Sequence, residues 1–528
     1  MIRLGAGVAA AALFAACAGG PGGAAGTATP TGPQLRPRPA SPVRPPAGVL
    51  RIARVGRPGR TPEWDDDDRL LVYSRLVGLD PREPAIYGDL ASGIEQRDPL
   101  SVRFTLRERV SFHPDEQDEM RPLTADHVRA DLERRAAEGA PLFTDVVERV
   151  EAPDNRTVVL HLRAPFGLLF EMLAAPEASI RGGRNYKGSD IPVGSGPFVP
   201  VRRDADLLRY EANPARSAED APLLSAIEVV RASASHEADT AFATGEVDIR
   251  VHHVGLQAPP AAGAEAMLLT RPGRRLRGLG LSLLPTKDGL PVRHVEAFQD
   301  ARVRRAVGLS LDGPAMRAFD GSFISGPVGP AHGGDALPRE ELDEQELYRT
   351  EPAAARSLLR AADAEDLAFT LTFPDQPAML SMAQVALDNL HEAGFAPRLQ
   401  SVPLADWQSA FLAGDFEATL FDLLLETPDV GLRLHTTSGV NGRFSLWGYS
   451  NPEYDAVVRD ALSALDPVAR AEHARAAQRA LLADTPAMFP VGAAPEYALT
   501  ADGVSGYQFD AYEFNSGYLA SQWVAPAR

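Results

Sequence analysis

The chain has 528 residues, of which 45% are hydrophobic. This length predicts about three domains, each with enough residues to bury a core. The 53 Lys and Arg residues against 71 Asp and Glu leave a formal net charge of −18. This balance argues against nucleic acid or an anionic membrane surface as the partner, because both require a basic patch that neutralises phosphates. Cationic and zwitterionic ligands remain open.

The N-terminal segment has the pattern of an export signal. Arg3 precedes an apolar run over 4–16, which ends directly before Cys17, the only cysteine of the chain. The run is shorter than the roughly 20 apolar residues of a membrane-spanning helix. Residues 13–17, Leu-Phe-Ala-Ala-Cys, resemble the bacterial lipobox, with Phe14 where Leu, Val or Ile is usual. We therefore expect export, cleavage and acylation at Cys17; the alternative is an ordinary buried cysteine.

The next segment is predicted to be a tether. Residues 18–46 are rich in Gly, Ala, Pro and Thr and contain almost nothing to bury, so we expect them to be disordered. A first strand is predicted over 49–55. Strand-like and helix-like segments alternate from there to the end of the chain, and this order predicts an α/β fold.

Two consecutive segments illustrate that alternation. Residues 101–110 place Val102, Phe104 and Leu106 on one face, which predicts a half-buried strand. Thr124 is a suitable N-cap for a helix that would end at Gly139. Further helices are predicted over 300–311, 352–362, 377–393 and 467–483.

The sequence lacks the motifs of the common catalytic classes. It has no Gly-x-Ser-x-Gly, Ser-x-x-Lys or His-Glu-x-x-His pattern and no glycine-rich nucleotide loop. Gly194-Ser195-Gly196 has the wrong spacing for a nucleophile elbow, and prolines flank it, which favours a structural loop. We therefore predict that the protein is not an enzyme and has no resident metal or cofactor.

Five segments occur in a characteristic order along the chain. They are residues 73–79, residues 104–128 with Phe-Thr-Leu-Arg, Phe-His and Pro-Leu-Thr-Ala-Asp-His-Val, residues 192–198 with Pro-Val-Gly-Ser-Gly-Pro-Phe, residues 245–249 and residues 300–306. Together they resemble the landmarks of the family 5 extracellular solute-binding proteins. That family serves ABC importers of oligopeptides, dipeptides and nickel.

The resemblance implies an architecture. We expect an α/β, periplasmic-binding-protein-like fold of type II, cluster C-like, with two hinged lobes and an extra domain inserted in the first lobe. Lobe I would comprise 47–79, 189–270 and 495–528, the inserted domain 80–188, and lobe II 271–494. A peptide or similar small solute would bind in the interlobe cleft of a monomer, and an ABC permease would be the partner.

The same resemblance suggests residues for the ends of a peptide. Peptide-binding members carry Trp-x-x-Asp followed by Asp-Pro, and the aspartate pairs with the ligand's amino group. The matching segment here, 423–430, lacks the tryptophan and has Glu426 in place of the acid. We expect Glu426, or its rival Asp429, to bind an amine; the alternative for both acids is a solvated loop. Arg433 or Arg443 is the candidate for a carboxylate.

Two tryptophans are candidates to line the pocket. Trp447 is one, although interlobe core is an equal alternative for an aromatic side chain, and Trp64 is the other. Because the amine-site motif is incomplete, a second hypothesis stays open. The chain would then be a receptor or scaffold lipoprotein that keeps the fold without the peptide chemistry. Nickel chelates and sugars also remain open as ligands, since a fold does not determine its ligand.

Overall fold

The structure is a computed structural model. It describes residues 3–4, 35–36, 42–55, 66–79, 86–115, 117, 119–140, 142–183, 185, 193–204, 206–217, 220–252, 266–287, 289–425, 427–437, 447–507, 520 and 523–526. In this part of the chain, no helix combines the length and apolar composition that crossing a bilayer would require.

The strands alternate with helices along the chain. They are β1 (Arg3–Leu4), β2 (Val49–Val55), β3 (Val77–Leu79), β4 (Ile86–Gly88), β5 (Ala91–Asp98), β6 (Ser101–Leu106), β7 (Val147–Asp154), β8 (Thr157–Leu162), β9 (Phe198–Arg203), β10 (Leu207–Ala212), β11 (Ala226–Ala232), β12 (Ile249–His252), β13 (Ala266–Leu281), β14 (Thr286–Lys287), β15 (Leu290–Pro291), β16 (Phe323–Ile324), β17 (Ala368–Pro374), β18 (Ala396–Val402), β19 (Ala418–Leu424) and β20 (Met488–Ala501).

The α-helices are α1 (Asp66–Val72), α2 (Ala125–Ala137), α3 (Leu169–Ala174), α4 (Ser235–Ala243), α5 (Ala301–Ser310), α6 (Gly313–Arg317), α7 (Arg339–Glu344), α8 (Pro352–Ala361), α9 (Pro377–Glu392), α10 (Leu404–Ala413), α11 (Pro428–Arg433), α12 (Pro452–Ser463) and α13 (Pro467–Ala483). Shorter helical turns cover Leu142–Val146, Pro176–Ala178, Glu296–Gln299, Pro330–Asp335 and Glu346–Tyr348.

Local sequence signals account for many of these bounds. The strand predicted over 49–55 and the four later helices are confirmed, each end lying at or next to the predicted residue. Strand β6 buries Val102, Phe104 and Leu106 as predicted but ends at Leu106. The prediction to 110 was wrong because the chain turns at Arg109, whose φ of 58° no strand can adopt.

One large sheet runs through the molecule, with strand order β18-β17-β19-β13-β20-β12-β2-β11-β10-β9. Strands β13 and β20 lie at its centre, are antiparallel to each other and run through both halves of the sheet. We call β18, β17 and β19, with the helices between residues 300 and 483, the second half. We call β12, β2, β11, β10 and β9 the first half.

The pairing of β13 with β20 is interrupted where the two halves meet. Pro272 lies opposite Pro495, and the next paired residues are Leu276 and Ala493, so three residues of β13 bulge against one of β20. A proline lacks the N–H that a ladder requires, and a bulge bends the strand that carries it. The two halves are therefore joined by two bent strands.

A separate four-stranded sheet, of order β5-β6-β8-β7, forms a small-sheet domain over residues 86–183. Helix α2 packs its buried Val128 and Leu132 against this sheet. The helix begins after Thr124, whose backbone N–H donates to the His127 ring at 3.2 Å, and it ends before Gly139 at a φ of 82°. The small-sheet domain, the first half and the second half each have their own hydrophobic core.

A glycine junction, residues 193–196, joins the small-sheet domain to the first half. His113 N–H donates to Gly194 O at 2.7 Å, and His113 Nε2 lies 3.1 Å from Gly196 O. A Cβ on Gly194 would lie 2.0 Å from the carbonyl oxygen of Val72, so the backbones approach too closely for any other residue. This geometry supports the prediction of a structural loop.

Part of the predicted tether contacts the small-sheet domain. Arg36 forms an isolated bridge with Tyr87, and its N–H donates to Ile86 O at 2.9 Å. Leu35 packs against the core of the same domain. The tether is therefore attached at this point rather than free along its whole length.

Candidate functional site

The chain leaving β19 is held against the bulge of β13. Leu425 N–H donates to Arg274 O at 2.9 Å, and the Leu425 carbonyl accepts from His332 Nε2 at 3.0 Å. Burial, together with the nearby Arg274 charge, lowers the pKa of His332 to about 3. The ring is therefore neutral at pH 7, with its single proton on the nitrogen that faces the carbonyl. These contacts fix the backbone on the N-terminal side of Glu426 beside the bent strands.

A charged cluster lies next to this segment, between β13 and β19. Arg275 Nε is 2.8 Å from Asp422 Oδ1, and Arg277 Nε is 3.0 Å from Asp422 Oδ2. Arg277 also pairs with Asp320, and both of these residues are buried, while the side chain of Asp422 is 8% exposed and that of Arg275 is 31% exposed. A buried carboxylate is stable only when a cation or hydrogen-bond donors meet it, and here arginines fill that role. Both acids of this cluster are thus already compensated within the protein.

Helix α11 contains two of the residues that the sequence singled out. Asp429 is buried and accepts from the Thr427 hydroxyl at 2.5 Å. Arg433 Nε lies 3.1 Å from Asp429 Oδ2, one helical turn away. The Arg433 guanidinium also stands 5.8 Å from the centre of the Phe166 ring, which belongs to the small-sheet domain. In this state the Asp429 carboxylate is engaged by Thr427 and Arg433.

Trp447 has the best-defined position among the predicted site residues. Its side chain is 0% exposed, and its ring lies 5.4 to 5.8 Å from the rings of Phe411, Phe416 and Phe421. Gly280 faces the ring so closely that a Cβ there would lie 2.0 Å from it. Trp447 therefore packs in the core of the second half, whereas the sequence predicted a pocket residue or a residue of the interlobe core. Cys17, Trp64, Glu426 and Arg443 lie outside the described residues.

Sequence reasoning missed the Arg275, Arg277, Asp422 and Asp320 cluster. Two signals were present in it. Asp422 interrupts an apolar strand, and Arg275 and Arg277 are spaced by two, so they lie on one face of β13. The ion pairs could not be predicted from the sequence, because Arg277 lies opposite Asp422 only in the antiparallel register of β13 with β19. Within the described ranges, no group of three or more His, Cys, Asp or Glu residues has the arrangement of a metal site.

Comparisons with known proteins cover most of the chain. The model of the bacterial extracellular solute-binding proteins, family 5 Middle, matches residues 85–443. Protein XP55 of Streptomyces lividans is 28% identical over 418 residues, which cover 73% of this chain and 72% of that protein. The peptide transport periplasmic protein SapA of Salmonella typhimurium is 24% identical over 457 residues, which cover 79% of this chain and 80% of that protein.

A solved structure has the same fold. The chain resembles HbpA2 from Haemophilus parasuis with a TM-score of 0.75 at 18% identity, over 91% of this chain and 100% of that one. At this identity the likeness concerns the fold alone, and it extends over both halves of the large sheet and the small-sheet domain.

Proposed function

The chain belongs to family 5 of the bacterial extracellular solute-binding proteins, and from that premise we propose that it is the lipid-anchored binding component of an ABC importer. Its α/β, periplasmic-binding-protein-like fold, which the resemblance implied, is confirmed. The proposed ligand is a peptide, supported by the relative that is a peptide transport periplasmic protein. The proposed partners are the transmembrane subunits of a permease, and the proposed location is the outer face of a membrane.

The observation that carries this proposal is the pair of bent strands between the two halves of the sheet. Two polypeptide crossings with a bulge at Pro272 and Pro495 form a hinge of low stiffness. Ligand between the halves would favour the closed state, provided that it contacts that state better than the open one. Lobe I would comprise 47–79, 189–270 and 495–528, the inserted domain 80–188, and lobe II 271–494.

The ligand chemistry follows from what a peptide presents. An extended backbone offers paired N–H and C=O groups that strand edges satisfy whatever the side chains are, whereas the termini require an acid and a cation. Glu426 is the proposed partner of the amine, because it follows Leu425, which is fixed at the hinge. Asp429 and Arg433 pair with each other, so they would bind a ligand only by exchanging that contact. Arg443 and Trp64 remain candidates.

Native mass spectrometry of the protein as purified tests the function most directly. We expect a retained peptide whose mass is lost on denaturation. With that peptide, Glu426→Gln should weaken binding by about 2–5 kcal/mol, the range for breaking a buried charge pair, and should affect an N-acetylated analogue little. Asp429→Asn makes the equivalent change at the rival acid and is measured with the same two ligands. Equal affinities for parent and Glu426→Gln would contradict the assignment of Glu426.

The anchor has its own test. Cys17→Ser should release the protein from membranes, because each acyl CH₂ contributes about 0.8 kcal/mol of membrane affinity. Unchanged membrane fractionation of the variant would contradict lipidation at Cys17. Ala18 follows the cysteine, which permits the outer as well as the inner membrane.

The alternative function is a receptor or scaffold lipoprotein that keeps the fold without peptide chemistry. The pairing of Asp429 with Arg433 favours it, because these charges need no ligand for compensation. A protein that purifies empty and binds no peptide in calorimetry would support this alternative against the importer.

A further inference from the structure

The small-sheet domain touches the second half of the large sheet at one place that the function above does not explain. The contact joins residues 166–171, at the start of α3, to the end of α12 and the first turns of α13. Gly167 N–H donates to Leu462 O at 2.8 Å, and Gly167 O accepts from Arg470 at 2.8 Å. Gly167 is thus bonded through both of its backbone groups to the opposite unit.

Arg470 is the centre of this contact. Its Nη1 lies 2.6 Å from Glu171 Oε1 of the small-sheet domain. Its Nε and Nη2 lie 3.2 and 3.1 Å from the two oxygens of Asp335, which belongs to the second half. One guanidinium therefore bonds a carboxylate on each side of the interface, while the Asp335 pair stays within its own unit. The Arg470 side chain is 11% exposed and that of Glu171 is 21% exposed.

Apolar groups close the interface around these charges. Leu462 packs against the core of the second half and also against the core of the small-sheet domain. The Gly167 backbone approaches so closely that a Cβ there would lie 2.0 Å from Ala464 O. Phe166 stacks under Arg433, as described above. Side chains and backbone are thus complementary across the two units, as expected of a contact that forms and separates as one piece.

The charges make this contact reversible. Burial raises the pKa of the Glu171 carboxyl in spite of the attraction of Arg470, and repulsion by Asp335 adds to the rise. Burial opposes the Arg470 charge, but the two carboxylates outweigh it and raise the pKa of the guanidinium. A carboxylate that is costly to desolvate recovers hydration when the contact opens, so the net stability of the closed contact is modest.

We propose that residues Phe166, Gly167 and Glu171 with Leu462 and Arg470 form a latch that holds the two lobes closed. The proposal rests on the two-lobed function above, because the small-sheet domain moves with lobe I through the glycine junction. Ligand and latch then act on the same equilibrium. A protein with an intact latch is partly closed before ligand arrives, so that less of the binding energy is spent on closure.

The test uses single-molecule energy transfer on the full chain after denaturation, dialysis and refolding have removed any retained peptide. Cys17→Ser removes the only cysteine, so Ala137→Cys and Arg459→Cys introduce one dye in each unit at exposed helical positions. Glu171→Gln removes the charge that crosses the interface and leaves the Arg470–Asp335 pair intact. Gly167→Ala introduces a methyl group against Ala464 O without changing any charge.

Each variant has a matched control. Arg479 lies on the same helix α13 as Arg470 and pairs with Glu341 of α7, so Arg479→Gln breaks an ion pair that stays within the second half. Gly93→Ala adds a methyl group in the small-sheet domain where the nearest atom is 3.8 Å away. Melting temperatures of all variants establish that each is folded.

We expect Gly167→Ala to lower the ratio of closed to open molecules by about fivefold or more, the low end for coupling between two protein states. Glu171→Gln should lower it by less, because the lost attraction is partly offset by the carboxylate that is no longer buried. Both controls should match the parent. Identical distributions in parent and both latch variants would overturn the proposal. If Gly167→Ala alone opened the protein, the role given to Arg470 and Glu171 would be wrong. No ligand is used, so failure here concerns the latch, whereas failure to bind peptide concerns the proposed function.

Discussion

The small-sheet domain has two interfaces of opposite character. At the glycine junction, its contact with the first half is made by backbone groups and the His113 ring, for example by Gly182 N–H donating to Val193 O at 2.5 Å and His113 N–H to Gly194 O at 2.7 Å. Outside the junction, its Arg107 forms one ion pair at 2.5 Å with Asp220 of the first half. Its contact with the second half depends on one arginine between two carboxylates.

The difference determines which contact can separate. Opening the junction would exchange its short backbone hydrogen bonds for bonds to water, at a net cost of about 0.5–1.5 kcal/mol for each bond. Opening the arginine contact would rehydrate charges that were costly to bury. The first interface therefore acts as a permanent attachment and the second as a reversible one.

The largest effect is expected from filling the glycine junction. Gly194→Ala would place a methyl group 2.0 Å from Val72 O, where only backbone can yield. We expect a loss of roughly 4 kcal/mol or more of unfolding free energy, or failure to fold. Urea unfolding measures it, with Gly93→Ala as the control. A loss below about 1 kcal/mol would show that the junction accommodates the methyl group. The two interfaces of the small-sheet domain would then not differ in the way proposed.

The next effect concerns the rigidity of the second half itself. Trp447→Ala removes a fully buried ring from the Phe411, Phe416 and Phe421 cluster. We expect a loss of about 3–5 kcal/mol, the usual cost of truncating a buried aromatic residue. Such a loss would show that the Trp447 ring contributes to the core of the second half. If Trp447→Ala instead left the unfolding free energy almost unchanged and weakened ligand binding, Trp447 would be assigned to the pocket.

The junction should also be sensitive to acid. Burial, and to a smaller extent Arg216, lowers the pKa of His113 from 6.5 to about 4, and the bond to Gly196 O opposes that shift only partly. The pKa of His113 is lower in the folded protein than in the unfolded chain. Its contribution to the free energy of unfolding is therefore complete above pH 6.5 and is lost as the pH falls towards 4. The predicted loss is roughly 3 kcal/mol.

His113→Gln supplies the comparison, since glutamine can donate to Gly196 O but does not titrate. Unfolding free energies of parent and variant are measured from pH 7 to 4. The buried His332 and His435 titrate equally in both proteins, so the difference between the two isolates His113. A difference that does not change with pH would contradict this assignment.

The smallest effect is expected at the arginine contact. Glu171→Gln should change the unfolding free energy by about 1 kcal/mol or less, because the lost attraction is offset by the carboxylate that is no longer buried. Arg479→Gln, at a half-exposed pair, should cost about 0–1 kcal/mol. A loss of several kcal/mol for Glu171→Gln would make this contact as permanent as the junction.

The local sequence pattern was sufficient to predict those helices and strands whose signals lie within a few residues of one another. Thr124 and Gly139 bracket α2, and the alternation of Val102, Phe104 and Leu106 predicts the buried face of β6, because capping and side-chain periodicity are short-range properties. Together with the ordered segments that resemble family 5, they were enough to predict the fold. They were not enough to locate the end of β6, because the positive φ of Arg109 has no sequence signature.

The sequence by itself determined the fold class, the positions of five helices, the strand over 49–55, the buried face of β6 and the structural loop at 193–196. Only the tertiary structure decided which charges meet. Glu171 and Arg470 are 299 residues apart and Arg275 and Asp422 are 147 apart, and these separations close only when strands and helices from distant segments pack. Trp447 likewise became a core residue through Gly280 of the distant strand β13. Which side chains pair depends on strand register and interface geometry, and neither of these can be predicted from a local sequence pattern.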